Sequence, residues 1–140
     1  MVQFYIQDTD FSFRAKTITA KWLRIVAREE NFKLGAISVI FCSDDYILST
    51  NIQYLNHHYF TDIITFDYCS GKLLSGDLFI SVDSVKDNSV VFKTTFKDEL
   101  NRVIVHGLLH LVGYDDHTDE EKTVMRSKED YYLSKLDSLR

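Results

Sequence analysis

The sequence predicts an α+β fold, with one domain over residues 1–140 built from a small mixed sheet and about five helices. Three observations carry this. Hydrophobic periodicity switches along the chain in the order strand, helix, strand, helix, two strands, then helices. The two middle strand candidates are joined by a Ser/Gly-rich piece short enough for an antiparallel pair. And 140 residues suit one domain, long enough to bury a core without disulfide or metal staples.

Residues 2–6 form a short strand. Ala15, Ile18, Trp22, Ile25 and Val26 then recur at helical spacing, with Lys16, Lys21, Arg24 and Arg28 on the other side of the cylinder. That cationic side is expected to be a solvated face, with phosphate contacts the second reading. Leu34 to Cys42 is nearly continuous and β-branched, the pattern of a strand buried on both faces. Ser43 offers an N-cap, with Asp44 and Asp45 in the first turn of a short helix carrying Ile47, Leu48 and Ile52. Ile63–Tyr68 and Leu78–Ser81 are the next strands, with Ser70, Gly71, Ser75 and Gly76 as turn residues between them. Residues 82–91 form a weakly amphipathic helix. Thr95 with Asp98 opens a longer one running to about Val112, apolar nearly all round and therefore central. Thr118 with Glu121 opens a polar C-terminal helix. With no proline in the chain, changes of direction depend on glycine, Asx and hydroxyl chemistry.

Apolar residues are 45% and charged residues 26%, an ordinary globular balance that argues against disorder. The net charge of −5 excludes a highly basic nucleic-acid arm but not a local basic patch. Cys42 and Cys69 make no CxxC, and both are expected as small buried hydrophobes of a reducing compartment. No signal peptide is visible, and no apolar run approaches the roughly 20 residues of a membrane span. A soluble cytoplasmic protein is the expectation.

All five histidines fall in two clusters. His106 and His110 are four apart and project from one helix face a turn apart, a spacing at which two imidazoles can share one Zn²⁺. Gly113 is placed to end that helix in a left-handed conformation and turn the chain back, bringing Asp115, Asp116 and His117 within reach as further donors. Two hydrogen-bonded core histidines are the competing reading, and the glycine stop with its trailing donors favours the metal. His57 and His58 are expected in a solvated loop. The position after the first histidine, where the zincin proteases need a glutamate as general base, holds Gly107. That disfavours peptide hydrolysis. A zinc with an open coordination position still suits phosphodiester cleavage, because RNA carries a potential nucleophile in its 2′-OH.

His106 to Asp116 resembles the HGxLHLxGYDH signature of the YbeY family, bacterial metal-dependent endoribonucleases of ribosomal RNA maturation. Thr61-Asp62-Ile63-Ile64-Thr65-Phe66 is similar to that family's TDVLSF strand, and Gly76-Asp77-Leu78-Phe79-Ile80-Ser81 to its GDI.IS strand. The resemblance implies a four-stranded mixed sheet around a central metal-bearing helix of zincin-like geometry. It implies one Zn²⁺ in a cleft beside the antiparallel edge strand. It also implies cleavage of single-stranded RNA, maturation of the small-subunit ribosomal RNA 3′ end and a part in ribosome quality control. The partners expected are therefore RNA and the small ribosomal subunit, with no membrane and no DNA. Two positions depart from the family. Its third ligand is a histidine six residues after the second, which falls here on Asp116. Asp116 is therefore expected as third ligand beside His106 and His110, with His117 the alternative. An arginine carried in the loop before TDVLSF falls on Leu55. A non-catalytic assembly factor with a structural metal and another metallohydrolase are the rival functions.

Overall fold

The computed structural model describes residues 1–55 and 61–140. Val2–Gln7 forms β1, where Val2 and Phe4 are half-buried and Gln3 and Tyr5 are exposed, the pattern of a strand covered on one face. Lys16–Glu29 forms α1 and buries Thr19, Trp22, Leu23, Val26 and Ala27, the apolar stripe expected from its spacing. Trp22 is fully buried and donates its indole N–H to the Tyr132 carbonyl at 2.7 Å, which removes the cost of burying that donor. Lys33–Cys42 forms β2, fully buried from Val39 onward. Asp44–Leu55 forms α2, capped as expected by Ser43, whose hydroxyl accepts the Tyr46 N–H at 3.1 Å.

Ile63–Asp67 forms β3 and Leu73–Ser81 forms β4. The latter begins five residues before the expected Leu78. Ser75 and Gly76 look like turn residues but lie inside the strand. Gly76 is there for space: a Cβ would stand 2.4 Å from the Phe66 carbonyl oxygen and 3.1 Å from the Leu111 side chain. The turn itself uses Gly71, at φ +57°, with Ser70 and Leu73 bonding each other across it.

The sheet order is β1-β2-β4-β3, parallel at the first two junctions and antiparallel at the last. β3 and β1 are therefore opposite edges. Three helices complete the chain: α3 (Val82–Val91), α4 (Phe96–Val112) and α5 (Asp119–Ser138). Thr95 and Thr118 cap the last two through the N–H groups of Asp98 and Glu121, and at Thr118 the reciprocal capping box closes as well. α4 packs against β3, β4, α3 and α5, and its Val103, Ile104, Val105, Leu108 and Leu109 lie in one core with Trp22, Phe41, Leu78 and Ile80. Among the described residues there are thus four strands and five helices, with the histidine helix at the centre, as the sequence predicts.

Cys42 is fully buried, and that burial, with Asp44, Asp83 and Asp8 nearby, pushes its thiol up to about 12. Cys69 corrects the expectation of two buried thiols. It is half-exposed, because it sits in the β3–β4 turn, where its sulfur accepts the Ser75 N–H at 3.4 Å. Among the described residues no helix is long and apolar enough to cross a membrane.

Candidate metal centre

The ionisable residues in the central part of α4 fall on one stripe, with Asn101 a buried polar residue outside it. Glu99, Arg102, His106 and His110 recur at intervals of three and four, while Leu100, Val103, Ile104, Val105, Gly107, Leu108, Leu109 and Leu111 are buried. Gly107 lies where the helix meets the sheet. A Cβ there would stand 2.7 Å from Ile63 Cδ1 and 3.1 Å from Leu78 Cδ2. The residue after the first histidine thus faces the sheet and is too crowded for a side chain. This supplies a packing reason for glycine where a zincin protease has its glutamate.

At the end of α4, Gly113 takes φ +124° and donates its N–H to the carbonyls of Leu109 and His110. The chain then doubles back. Asp116 Oδ2 lies 3.3 Å from His106 Nε2 and 3.6 Å from His110 Nε2, and the two imidazole nitrogens are 2.9 Å apart. These three donors all lie within 4.8 Å of one another. Ligand atoms about 2.0–2.1 Å from a tetrahedral ion stand about 3.3 Å apart, so the carboxylate separations suit such an ion and the imidazole pair need open by only a few tenths of an ångström. His117 lies outside this group. It is exposed, and its backbone N–H donates to Glu121 Oε1 at 3.2 Å as part of the α5 cap. Asp115 is exposed too. His57 and His58 lie outside the described residues.

The returning loop is tied down at Tyr114. Its hydroxyl donates to Glu30 Oε1 at 2.7 Å, and the other Glu30 oxygen takes Lys128 Nζ at 3.2 Å and the Tyr132 hydroxyl. Burial works against a charge on Glu30, but these three donors outweigh it and hold the carboxyl below its usual range. One carboxylate at the end of α1 thus joins the ligand loop to α5.

Three further residues complete the surroundings. Glu129, in the polar helix α5, is only 5% exposed, and its Oε2 lies 2.6 Å from His106 Nδ1. Its other oxygen accepts from Arg102 at 2.9 Å, and Arg102 also reaches Asp130 at 2.7 Å. A carboxylate on Nδ1 leaves the lone pair of Nε2 facing the shared site, the arrangement that metal-ligating histidines use to fix ring and tautomer. Burial disfavours charge on His106, but the Glu129 bond and the charges of Glu129, Asp116 and Asp62 outweigh it and raise the pKa. His110 shifts the other way, lowered by burial and by His106 against the pull of Asp116. Asp62, just before β3, has its carboxyl pushed up by burial against the opposing pull of His106.

None of these three is legible as a site residue. Glu129 is one of several acids in a polar helix, Arg102 is one charge in a helix that reads as apolar nearly all round, and Asp62 counts only as part of a strand motif. Asp62 lies just before the edge strand that walls the site, and that was the available signal.

A cleft of about 440 Å³ opens over these groups, walled by β3 and by Asn51 and Leu55 of α2. Leu55 therefore stands in the cleft wall, 40% exposed, where the resemblance places an arginine. Of the cationic residues of α1, Lys16 and Arg24 lie elsewhere, beside β1 at the opposite edge of the sheet.

Comparison with known proteins matches residues 2–137 to a family described as Endoribonuclease YbeY. Among curated relatives, "Endoribonuclease YbeY" of Cytophaga hutchinsonii is 48% identical over 132 residues, 94% of this chain and 92% of that protein. The protein of the same name from Bacteroides fragilis is 50% identical over 119 residues, 85% of this chain and 86% of its own. Among solved structures, the solution structure of TM1509 from Thermotoga maritima superposes with a TM-score of 0.69 at 26% identity, covering 95% of this chain and 88% of that one.

Proposed function

The chain belongs to the YbeY endoribonuclease family, and from that premise we propose that it is a metal-dependent endoribonuclease of ribosomal RNA. Its substrate is single-stranded RNA at the 3′ end of the small-subunit ribosomal RNA, and it takes part in ribosome quality control in the cytoplasm. The metal is one Zn²⁺ held by His106, His110 and Asp116. The observation that carries this reading is the convergence of two imidazoles and a carboxylate on one point at the floor of an open cleft.

When bound, the ion supplies Lewis acidity toward a phosphoryl oxygen and a lowered pKa for water at its open position. The protein's own part is placement. Glu129 holds His106 by Nδ1, so the ring presents Nε2 without rotating. Gly113 and Tyr114 set the return of the chain, so Asp116 Oδ2 comes to 3.3 Å and 3.6 Å from the two imidazole nitrogens. His106, His110 and Asp116 would hold the ion at the cleft lined by Ile63, Ile64 and Thr65 of β3, and three protein donors would leave it able to act on a phosphodiester bound there. Gly107 stands where a zincin protease carries its glutamate base and has no room for that side chain, which supports RNA over a peptide as substrate. The 2′-OH of RNA provides a nucleophile the protein does not have to supply.

Elemental analysis of the purified protein, paired with cleavage of a defined single-stranded RNA, tests the reading. We expect about one zinc per chain, and loss of both metal and cleavage when His106 and His110 are replaced by Ala. Cleavage that persists in the metal-free double variant would assign the activity to a contaminant and overturn the proposal.

A further inference from the structure

We propose that the β1 edge of the sheet, with the cationic face of α1 beside it, is a docking surface for an extended acidic segment of a partner protein. β1 pairs only with β2, and among the described residues nothing bonds to its outer edge. Alternate residues of such a strand present their N–H and C=O groups outward, a template for another strand. Proteins ordinarily blunt an open edge with charge, proline or a bulge. Val2-Gln3-Phe4-Tyr5-Ile6-Gln7 has no charge and no proline, and its register against β2 is unbroken over six residues. Tyr5 and Ile6 are 43% and 38% exposed.

A groove of about 510 Å³ runs between Gln3, Phe4 and Tyr5 on one side and Lys16, Thr17 and Arg24 on the other. Lys21 and Arg28 continue the cationic face along α1. All four cations are exposed, and among the described residues no carboxylate lies within ion-pair distance of any of them, although the chain as a whole carries −5.

The charge selects the occupant. A second copy adding its own β1 about a two-fold axis would extend the sheet but set two α1 helices side by side, cation against cation, which disfavours self-association. An extended acidic peptide satisfies both halves of the surface. Its backbone completes the edge, and its alternate side chains place carboxylates against Lys16 and Arg24. The surface lies three strand spacings from β3, about 14 Å across the sheet, so occupancy leaves the metal cleft open.

The experiment titrates isotope-labelled protein with a peptide of alternating threonine and glutamate. Expected are shifts and slowed hydrogen exchange confined to the β1 amides. Affinity should fall about tenfold in the Lys16→Glu/Arg24→Glu variant, whose exposed positions leave folding intact. N-methylating alternate peptide residues should abolish binding, since only backbone pairing needs those N–H groups. Equal binding by the threonine–lysine peptide, or β1 amides that stay unprotected, would overturn the proposal. So would an oligouridylate that displaces the peptide through Lys16 and Arg24, which would reassign the surface to RNA. A dimer joined through β1 in sedimentation would reassign it to a second copy.

Discussion

The two edges of the sheet are built on opposite principles. At the β3 edge the ionisable side chains hold one another. His106 has Glu129 on one nitrogen and the shared site on the other, Glu129 has Arg102, and Asp116 faces both imidazoles. At the β1 edge four cations stand in solvent without a carboxylate among the described residues. Chemistry on a phosphodiester depends on donors fixed to within a fraction of an ångström before substrate arrives, which requires partners behind each donor. A surface that takes up a flexible chain gains from side chains left free to adapt. The protein therefore concentrates its polar bonds where geometry matters and leaves them unmade where it does not.

The largest effect on this contrast is expected from the proposed third ligand. Asp116→Ala should strip the protein of tight metal, whereas His117→Ala should leave affinity nearly unchanged, as read by zinc titration with a chromophoric competitor. The reverse order would move the third donor by one residue. Next is the support behind the first histidine. Glu129→Gln keeps a hydrogen bond but removes the charge, and metal affinity should fall about 10–100-fold while the fold persists. An unchanged affinity would show that the α5 carboxylate serves packing alone.

Smaller still is the strut under the ligand loop. Glu30 has a folded pKa below its usual 4.5, so its share of stability is complete above that value and is lost as the pH falls through the lower folded pKa. Glu30→Gln should cost about 1–3 kcal/mol near neutrality. It should also remove this component of acid destabilisation, so urea midpoints of the two proteins converge below pH 4.5. Parallel pH profiles would deny Glu30 that role. The smallest effect belongs to the other edge: Lys16→Glu/Arg24→Glu should change thermal stability by no more than about 0.5 kcal/mol and leave RNA cleavage intact.

How much of this was legible differs element by element. α1, α4 and α5 announce themselves, because helical periodicity and caps such as Thr95 and Thr118 are local signals. β4 was cut short because Gly76 carries two meanings: the same residue marks a turn in one context and a close crossing under Phe66 and Leu111 in another. Leu55 could be named from the motif register, but its place in the cleft wall depends on how α2 packs beside β3.

The sequence alone determined what is local in the candidate site: two imidazoles one helical turn apart, a glycine that ends the helix behind them, and donors within a few residues. Only the tertiary structure brings Asp116 and not His117 beside the two imidazoles, since that placement depends on where the α5 cap begins and on the anchoring of Tyr114 to Glu30, 84 residues away. It also decided that Glu129 and Arg102 stand behind His106. Periodicity and spacing reach across a turn or two of helix, and contacts between separate elements are fixed by how the layers pack.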